Sequence, residues 1–323
     1  MKLYSPSTIQ DIRERYDFKL SKSLGQNFIT DRNVIEKIIE GAQIGPDDMV
    51  IEIGPGIGVL TAAAAEQAAR VVAIEIDSKL IPILSETLAG YDNIRIVNQD
   101  VLKTDINEII DEERSAGTFT GNVKILGNLP YYITSPILMR LLEEKLPIRN
   151  ITVMVQKEVA DRMAAVPGTK NYGAYTVKLG LYAEPVGRFA VGPGNFFPPP
   201  RVDSAVIRLN RRVPLMADGA PASPEVIAAA ALMADAAFTN RRKTIANSCK
   251  TYFSGRGPIL LGVADSSAAE GAPTIALPDG AATAERLPAI FEAAAIDPRR
   301  RGETLTQQEF LALGAALLRV TAA

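Results

Sequence analysis

Val50-Ile51-Glu52-Ile53-Gly54-Pro55-Gly56-Ile57-Gly58-Val59-Leu60 reads as a buried strand that runs into a glycine-rich turn and then an Ala-rich helix. Glycines here let the backbone approach a ligand closely, and the start of the helix offers free N–H groups. The form is that of a nucleotide-cofactor turn. Spacing narrows the choice: a dinucleotide fingerprint wants G-x-G-x-x-G, whereas Gly54, Gly56 and Gly58 alternate and Val59 stands at the third place. That argues against NAD. An oxidoreductase on a similar sheet is further disfavoured because the chain has no histidine to serve as its acid.

Working outward, Val71 to Ile76 reads as a second buried strand carrying Glu75 near its end, with Asp77 just beyond. Glu75 lies at about the distance after the turn where an acidic residue meets ribose hydroxyls, and is the expected ribose ligand. Ile94 to Asn98 reads as a third strand, followed by Gln99-Asp100-Val101, where the Asp100 carboxylate is placed to accept from an adenine amino group. Singly, each is also readable as an ordinary solvated strand-end carboxylate. Jointly they occupy successive strand ends, the rim on which open α/β sheets bind ligands. The apolar run Val123 to Leu126 brings a fourth segment, Asn128-Leu129-Pro130-Tyr131, to the same rim.

That tetrapeptide fits the methylation of an exocyclic amine. The amino nitrogen of adenine is a poor nucleophile, because its lone pair is delocalised into the ring. Acceptors from the Asn128 amide oxygen and a nearby backbone carbonyl would take its two N–H hydrogens and favour a tetrahedral nitrogen with its lone pair exposed. Pro130 fixes its own φ, supplies no competing N–H and biases Leu129 to an extended conformation. Tyr131 offers a face for a base to stack on, a contact worth roughly 1–3 kcal/mol.

With these motifs in order, the chain resembles the small-subunit ribosomal RNA adenine dimethyltransferases of the KsgA type, which use S-adenosylmethionine. Lys22-Ser23-Leu24-Gly25-Gln26-Asn27-Phe28 is similar to the family's N-terminal motif. Gln156 to Met163, Phe196-Phe197-Pro198-Pro199-Pro200-Arg201-Val202-Asp203-Ser204 and Arg241-Arg242-Lys243-Thr244 also match. The resemblance implies that Asn27, Ile29, Gly54, Glu75, Asp100 and Asn128 line the methyl-donor site, with Gly56 and Val101 beside them, and that Phe196 faces Tyr131 across the target base. It implies as substrate two adjacent adenines in the 3′-terminal hairpin of 16S rRNA, each dimethylated at N6 within an immature 30S subunit. A 23S rRNA adenine methyltransferase of the macrolide-resistance type shares the cofactor turn and aromatic platforms. An assembly factor acting mainly by binding is the reading from another class.

Composition bounds the rest. The 323 residues suffice for a doubly wound domain plus a smaller one, the single Cys249 fits a reducing cytosol, and the absence of histidine removes Ser-His-Asp triads and His-bearing metal sites. No metal site is expected. The formal net charge of −2 gives no overall pull toward polyanions, so local clusters must contact phosphate: Arg241, Arg242 and Lys243 foremost, then Arg211-Arg212 and Arg299-Arg300-Arg301. No stretch reads as a membrane span, and a cytoplasmic monomer is expected.

The fold expected is α/β: a Rossmann-like, S-adenosylmethionine-dependent methyltransferase sheet with a small C-terminal helical domain. Residues 1–28 are expected to be an arm closing on the cofactor, 29–209 the sheet domain, and 210–323 a linker and helical domain. Further strands are expected at Ile151 to Val155, Val186 to Val191 and Ala205 to Leu209, the last two as an antiparallel hairpin. Helices are expected near Pro224 to Cys249, Thr283 to Ala295 and Thr306 to Leu318, the last opening with a Thr306–Glu309 capping box. Asp105 to Asn122 and Ser254 to Ala282 read as long loops.

Overall fold

Five apolar runs, each followed by a helix, place parallel strands side by side in the computed structural model, which describes residues 2–18, 25–144, 146–262 and 274–322. A two-residue strand β1 (Phe28–Ile29) precedes β2 (Met49–Ile53), β3 (Arg70–Glu75), β4 (Ile94–Asn98), β5 (Val123–Asn128) and β6 (Ile148–Gln156). Then come β7 (Ala183–Val191), the short β8 (Phe196–Phe197) and β9 (Ser204–Arg211). The seven-stranded sheet has the order β4-β3-β2-β5-β6-β9-β7. Strands β4 to β6 in that order are parallel, and β9 runs antiparallel to β6. β7 and β9 are neighbours, as a hairpin requires.

Both faces of the sheet are covered. Val50, Leu126, Met154 and Val206 join one core cluster with the helices Pro6–Arg15, Arg32–Ala42 and Val59–Ala65. Ile51, Ile125, Val153 and Ile207, one residue out of phase, are equally buried. Continuous burial of this kind suits the apolar β-branched runs of parallel strands. The chain order reverses between β2 and β5, and there Gly127 is required, since a Cβ on it would lie 2.8 Å from the Ile53 carbonyl oxygen.

Away from the ligand rim, two charged clusters tie elements together. Asp48 pairs with Lys124 Nζ at 2.7 Å, both nearly fully buried. Glu113 takes a two-pronged bond from Arg70 and a further one from Arg95. It belongs to the helix Ile106–Ser115, which corrects the loop reading of 105–122. Asp105 caps that helix by accepting from the Glu108 N–H, and Ile106, Ile109 and Ile110 bury one stripe of it.

The chain divides into two compact units, the first Met1–Leu141, Leu146–Ala160 and Pro185–Arg211, the second Leu142–Lys145, Asp161–Glu184 and Arg212–Ala323. In the second, the expected helix 224–249 is two helices, Pro224–Phe238 and Ile245–Phe253, because Thr244 starts a new one by accepting from the Asn247 N–H. The stretch 254–282 carries an antiparallel hairpin, β10 (Pro258–Gly262) with β11 (Thr274–Asp279), instead of a plain loop; its residues 263–273 lie outside those described. Helices Gly280–Ala293 and Gln307–Ala322 complete the unit, and Thr306 and Glu309 form the expected capping box.

Candidate active site

The turn after β2 takes glycine at its three left-handed positions. Gly54, Gly56 and Gly58 have φ of +70°, +60° and +90°, and a Cβ on Gly56 would stand 2.9 Å from the Phe28 ring. The turn opens onto a cleft at the carboxyl ends of β2, β3, β4 and β5, where the strand order reverses. Gly54, Gly56, Glu75, Asp100, Val101 and Asn128 line it together with Asn27 and Ile29, so the structure brings together all eight residues expected at the cofactor.

Three carboxyls face this cleft. Glu75 Oε1 accepts from the Asp77 N–H at 2.8 Å, yet burial dominates and pushes its carboxyl up to about 7. Asp100 Oδ1 accepts from the Leu102 N–H at 3.0 Å, and Arg140 holds the same loop through the Val101 and Thr104 carbonyls. Glu52, which the sequence reading left out, is 1% exposed, and its Oε2 has no hydrogen-bond partner. Burial, with the nearby Glu75 charge, pushes it up to about 8. Its place on β2, one residue out of step with Ile51 and Ile53, was a signal that could have found it. Pro130, Ile76 and Tyr132 also line the cleft, with Ile76 and Tyr132 largely exposed.

The segment before β1 forms one wall. Lys22, Ser23 and Leu24 of the N-terminal motif lie outside the described residues, but Gly25 to Ile29 all line the cleft. Gln26 donates to Asp77 at 2.9 Å. β1 is held by antiparallel pairing with β8, Phe28 opposite Phe197 and Ile29 opposite Phe196. The main-chain oxygen of Asn27 accepts from Asn128 Nδ2 at 2.8 Å. That bond commits the amide nitrogen and leaves Asn128 Oδ1 as a free acceptor.

After Asn128, the Leu129 N–H donates to the Met154 carbonyl, and Leu129 itself is buried. The Pro130 carbonyl is already engaged by the Ile133 N–H and the Thr134 hydroxyl. Tyr131 is half-buried, its hydroxyl 2.6 Å from Ser204 Oγ. Phe196 is 4% exposed within the core cluster, and Phe197 lies under the Arg13 guanidinium. Neither Tyr131 nor Phe196 lines the cofactor cleft.

In the second unit, Arg241 to Lys243 are exposed on the turn between two helices. Arg241 is held by Glu303 at 3.1 Å and by the Lys170 carbonyl, whereas Arg242 and Lys243 have no side-chain partner among the described residues. Arg299 and Arg300 are paired with Asp297 and Glu309. Among the described residues there is no His, Cys, Asp and Glu cluster able to hold a metal, and no helix is long and apolar enough to cross a membrane.

The family described as "Ribosomal RNA adenine dimethylase" matches residues 17–272. A "Ribosomal RNA small subunit methyltransferase A" of Geobacillus sp. (strain WCH70) is 44% identical over 318 residues, 98% of either chain. One from Alkaliphilus metalliredigens (strain QYMF) is 45% identical over 317 residues, 97% of this chain and 96% of that one. Among solved structures, a dimethyladenosine transferase from Plasmodium falciparum matches with a TM-score of 0.64 at 23% identity, covering 88% of this chain and 95% of that one. The 23S rRNA methyltransferase ErmE matches with a TM-score of 0.58 at 26% identity, covering 90% and 99%.

Proposed function

The chain belongs to the ribosomal RNA adenine dimethylase family, and on that premise we propose that it transfers methyl groups from S-adenosylmethionine to N6 of two adjacent adenines in the 3′-terminal hairpin of small-subunit rRNA. It is a small-subunit rRNA adenine dimethyltransferase: its near-full-length relatives are named small-subunit rRNA methyltransferase A, and its family is the rRNA adenine dimethylases. The observation that carries the reading is the Asn128 amide, fixed through its nitrogen by the Asn27 carbonyl so that its oxygen accepts from N6. With the Pro130 carbonyl engaged, the Leu129 carbonyl takes the second hydrogen. After one methylation a single N–H remains, and either acceptor can hold it.

The donor fits the cleft. A left-handed glycine turn, the carboxyls of Glu75 and Asp100 and the unpartnered Glu52 Oε2 suit a nucleoside with several hydrogen-bonding groups. When bound, S-adenosylmethionine supplies an electrophilic methyl carbon on a sulfonium. Glu75 would hold its ribose hydroxyls and Asp100 its adenine amino group. Positioning and desolvation then carry most of the rate, with no strong base required.

In this reading the arm 1–28, of which residues 1 and 19–24 lie outside those described, closes over the donor, 29–209 carry the transfer site, and 210–323 bring Arg241 to Lys243 to phosphate. The enzyme acts as a cytoplasmic monomer on the immature 30S subunit. The likeness to ErmE favours one alternative, a large-subunit substrate. Incubating unmodified small and large subunits separately with labelled donor, followed by nucleoside analysis, decides: N6,N6-dimethyladenosine from the small subunit alone is expected. Asn128→Ala should abolish it while leaving the thermal transition in place, and undiminished product from that variant would refute the role of the amide.

A further inference from the structure

Stacking needs only an aromatic face, yet position 131 carries a phenol whose hydroxyl turns away from solvent. It shares a 2.6 Å hydrogen bond with the hydroxyl of Ser204, which is fully buried. Ser204 is itself held in the sheet. It opens β9 opposite Gln156 of β6, and the residue before it is fixed by the Lys157 N–H donating to the Asp203 carbonyl at 2.9 Å. On the other side, the chain leading to Tyr131 is fixed to the same strand by the Leu129 N–H on the Met154 carbonyl at 3.1 Å. The hydroxyl pair therefore spans β6 and closes a loop of fixed points. A ring held at Cβ and at its para oxygen has its long axis fixed and keeps only rotation about that axis.

We infer that Ser204 is a positioning residue for the reaction: through the Tyr131 hydroxyl it fixes the long axis, and so the place, of the ring on which the target adenine stacks. The inference rests on the function proposed above but is read out separately. Four proteins decide it: Ser204→Ala, Tyr131→Phe, the double variant and Ser204→Thr. Each is tested on small-subunit RNA carrying 2-aminopurine in place of one target adenine, for the quenching that stacking produces, and on unmodified subunits for kcat.

Either single variant should lose most of the quench and lower kcat about tenfold, the scale expected for a slightly misplaced reactant. The double variant should be no worse than either single one, because both remove the same bond. Ser204→Thr, which keeps a hydroxyl, should restore both readouts. Affinity for S-adenosylmethionine should stay within about twofold throughout, since neither residue lines the cofactor cleft. Losses that multiply in the double variant, or Tyr131→Phe with the quench and kcat of the unaltered protein, would overturn the inference. If Ser204→Ala fails to fold, Tyr131→Phe alone decides by the same two readouts. Should the unaltered protein not methylate small subunits, the proposed function fails, and the quench, which needs no methyl transfer, still judges Ser204.

Discussion

Glu52 carries a pH dependence of stability whose sign follows from its burial. The carboxyl is 1% exposed, one of its oxygens has no partner, and burial lifts it from the ordinary 4.5 to about 8 in the fold. Between those values the folded chain holds a proton that the unfolded chain releases. The contribution is therefore complete below the unfolded value and is lost as pH rises through the folded one. At about 1.36 kcal/mol per unit, the loss between about pH 5 and about pH 8 is roughly 3–4 kcal/mol. With an unfolding entropy of about 2.1 cal/mol/K per residue, that is a fall in Tm of about 5 °C for this chain. Glu52→Gln keeps the shape and cannot ionise. Calorimetry of both ligand-free proteins should give similar Tm values near the acid end and a variant progressively more stable as pH rises. Because every other titrating group is common to the two, the difference reports Glu52 together with its coupling to Glu75. A Tm difference that stays constant over this range would refute the claim that the side chain is buried and protonated.

Glu75, at about 7, should make donor binding pH-dependent in the opposite sense, because the carboxylate form accepts the ribose hydroxyls. Kd for S-adenosylmethionine measured by calorimetry should improve about tenfold from about pH 6 to about pH 8, and Glu75→Gln should bind weakly with a flat profile; a flat profile in the unaltered protein would contradict the assignment. Asp48→Ala strands the buried Lys124 charge and should cost about 3–5 kcal/mol in urea unfolding, whereas a loss below about 1 kcal/mol would mean that the ion pair is not buried as described. Arg242→Ala with Lys243→Ala should lower the slope of log affinity for RNA against log salt by about two, and an unchanged slope would exclude both from phosphate contact.

What the sequence made readable was local. The strand, turn and helix from Val50 to Leu60 announce themselves by burial pattern and glycine spacing, and the carboxylates at Glu75 and Asp100 follow because parallel strands end on one rim. The helix Ile106–Ser115 was locally readable too: Ile106, Ile109 and Ile110 follow helical spacing behind the cap at Asp105, but the charged residues among them outweighed the stripe. Composition misled in the same way at β10, where Ile259 and Leu261 alternate inward within a stretch rich in Ala, Gly and Ser. Other features were not readable locally, because they join distant points of the chain. Residues 28 and 29 pair with 197 and 196, Asn128 takes its orientation from a main-chain oxygen about a hundred residues earlier, and Tyr131 meets Ser204 across an intervening strand. These contacts carry no local pattern, since a carbonyl is the same at every residue and a serine reads like any other polar residue. They nonetheless set the orientation of the two groups, amide and ring, that the chemistry needs. The motif thus names the reacting groups, while the tertiary fold determines whether the amide oxygen and the ring face point at one nitrogen.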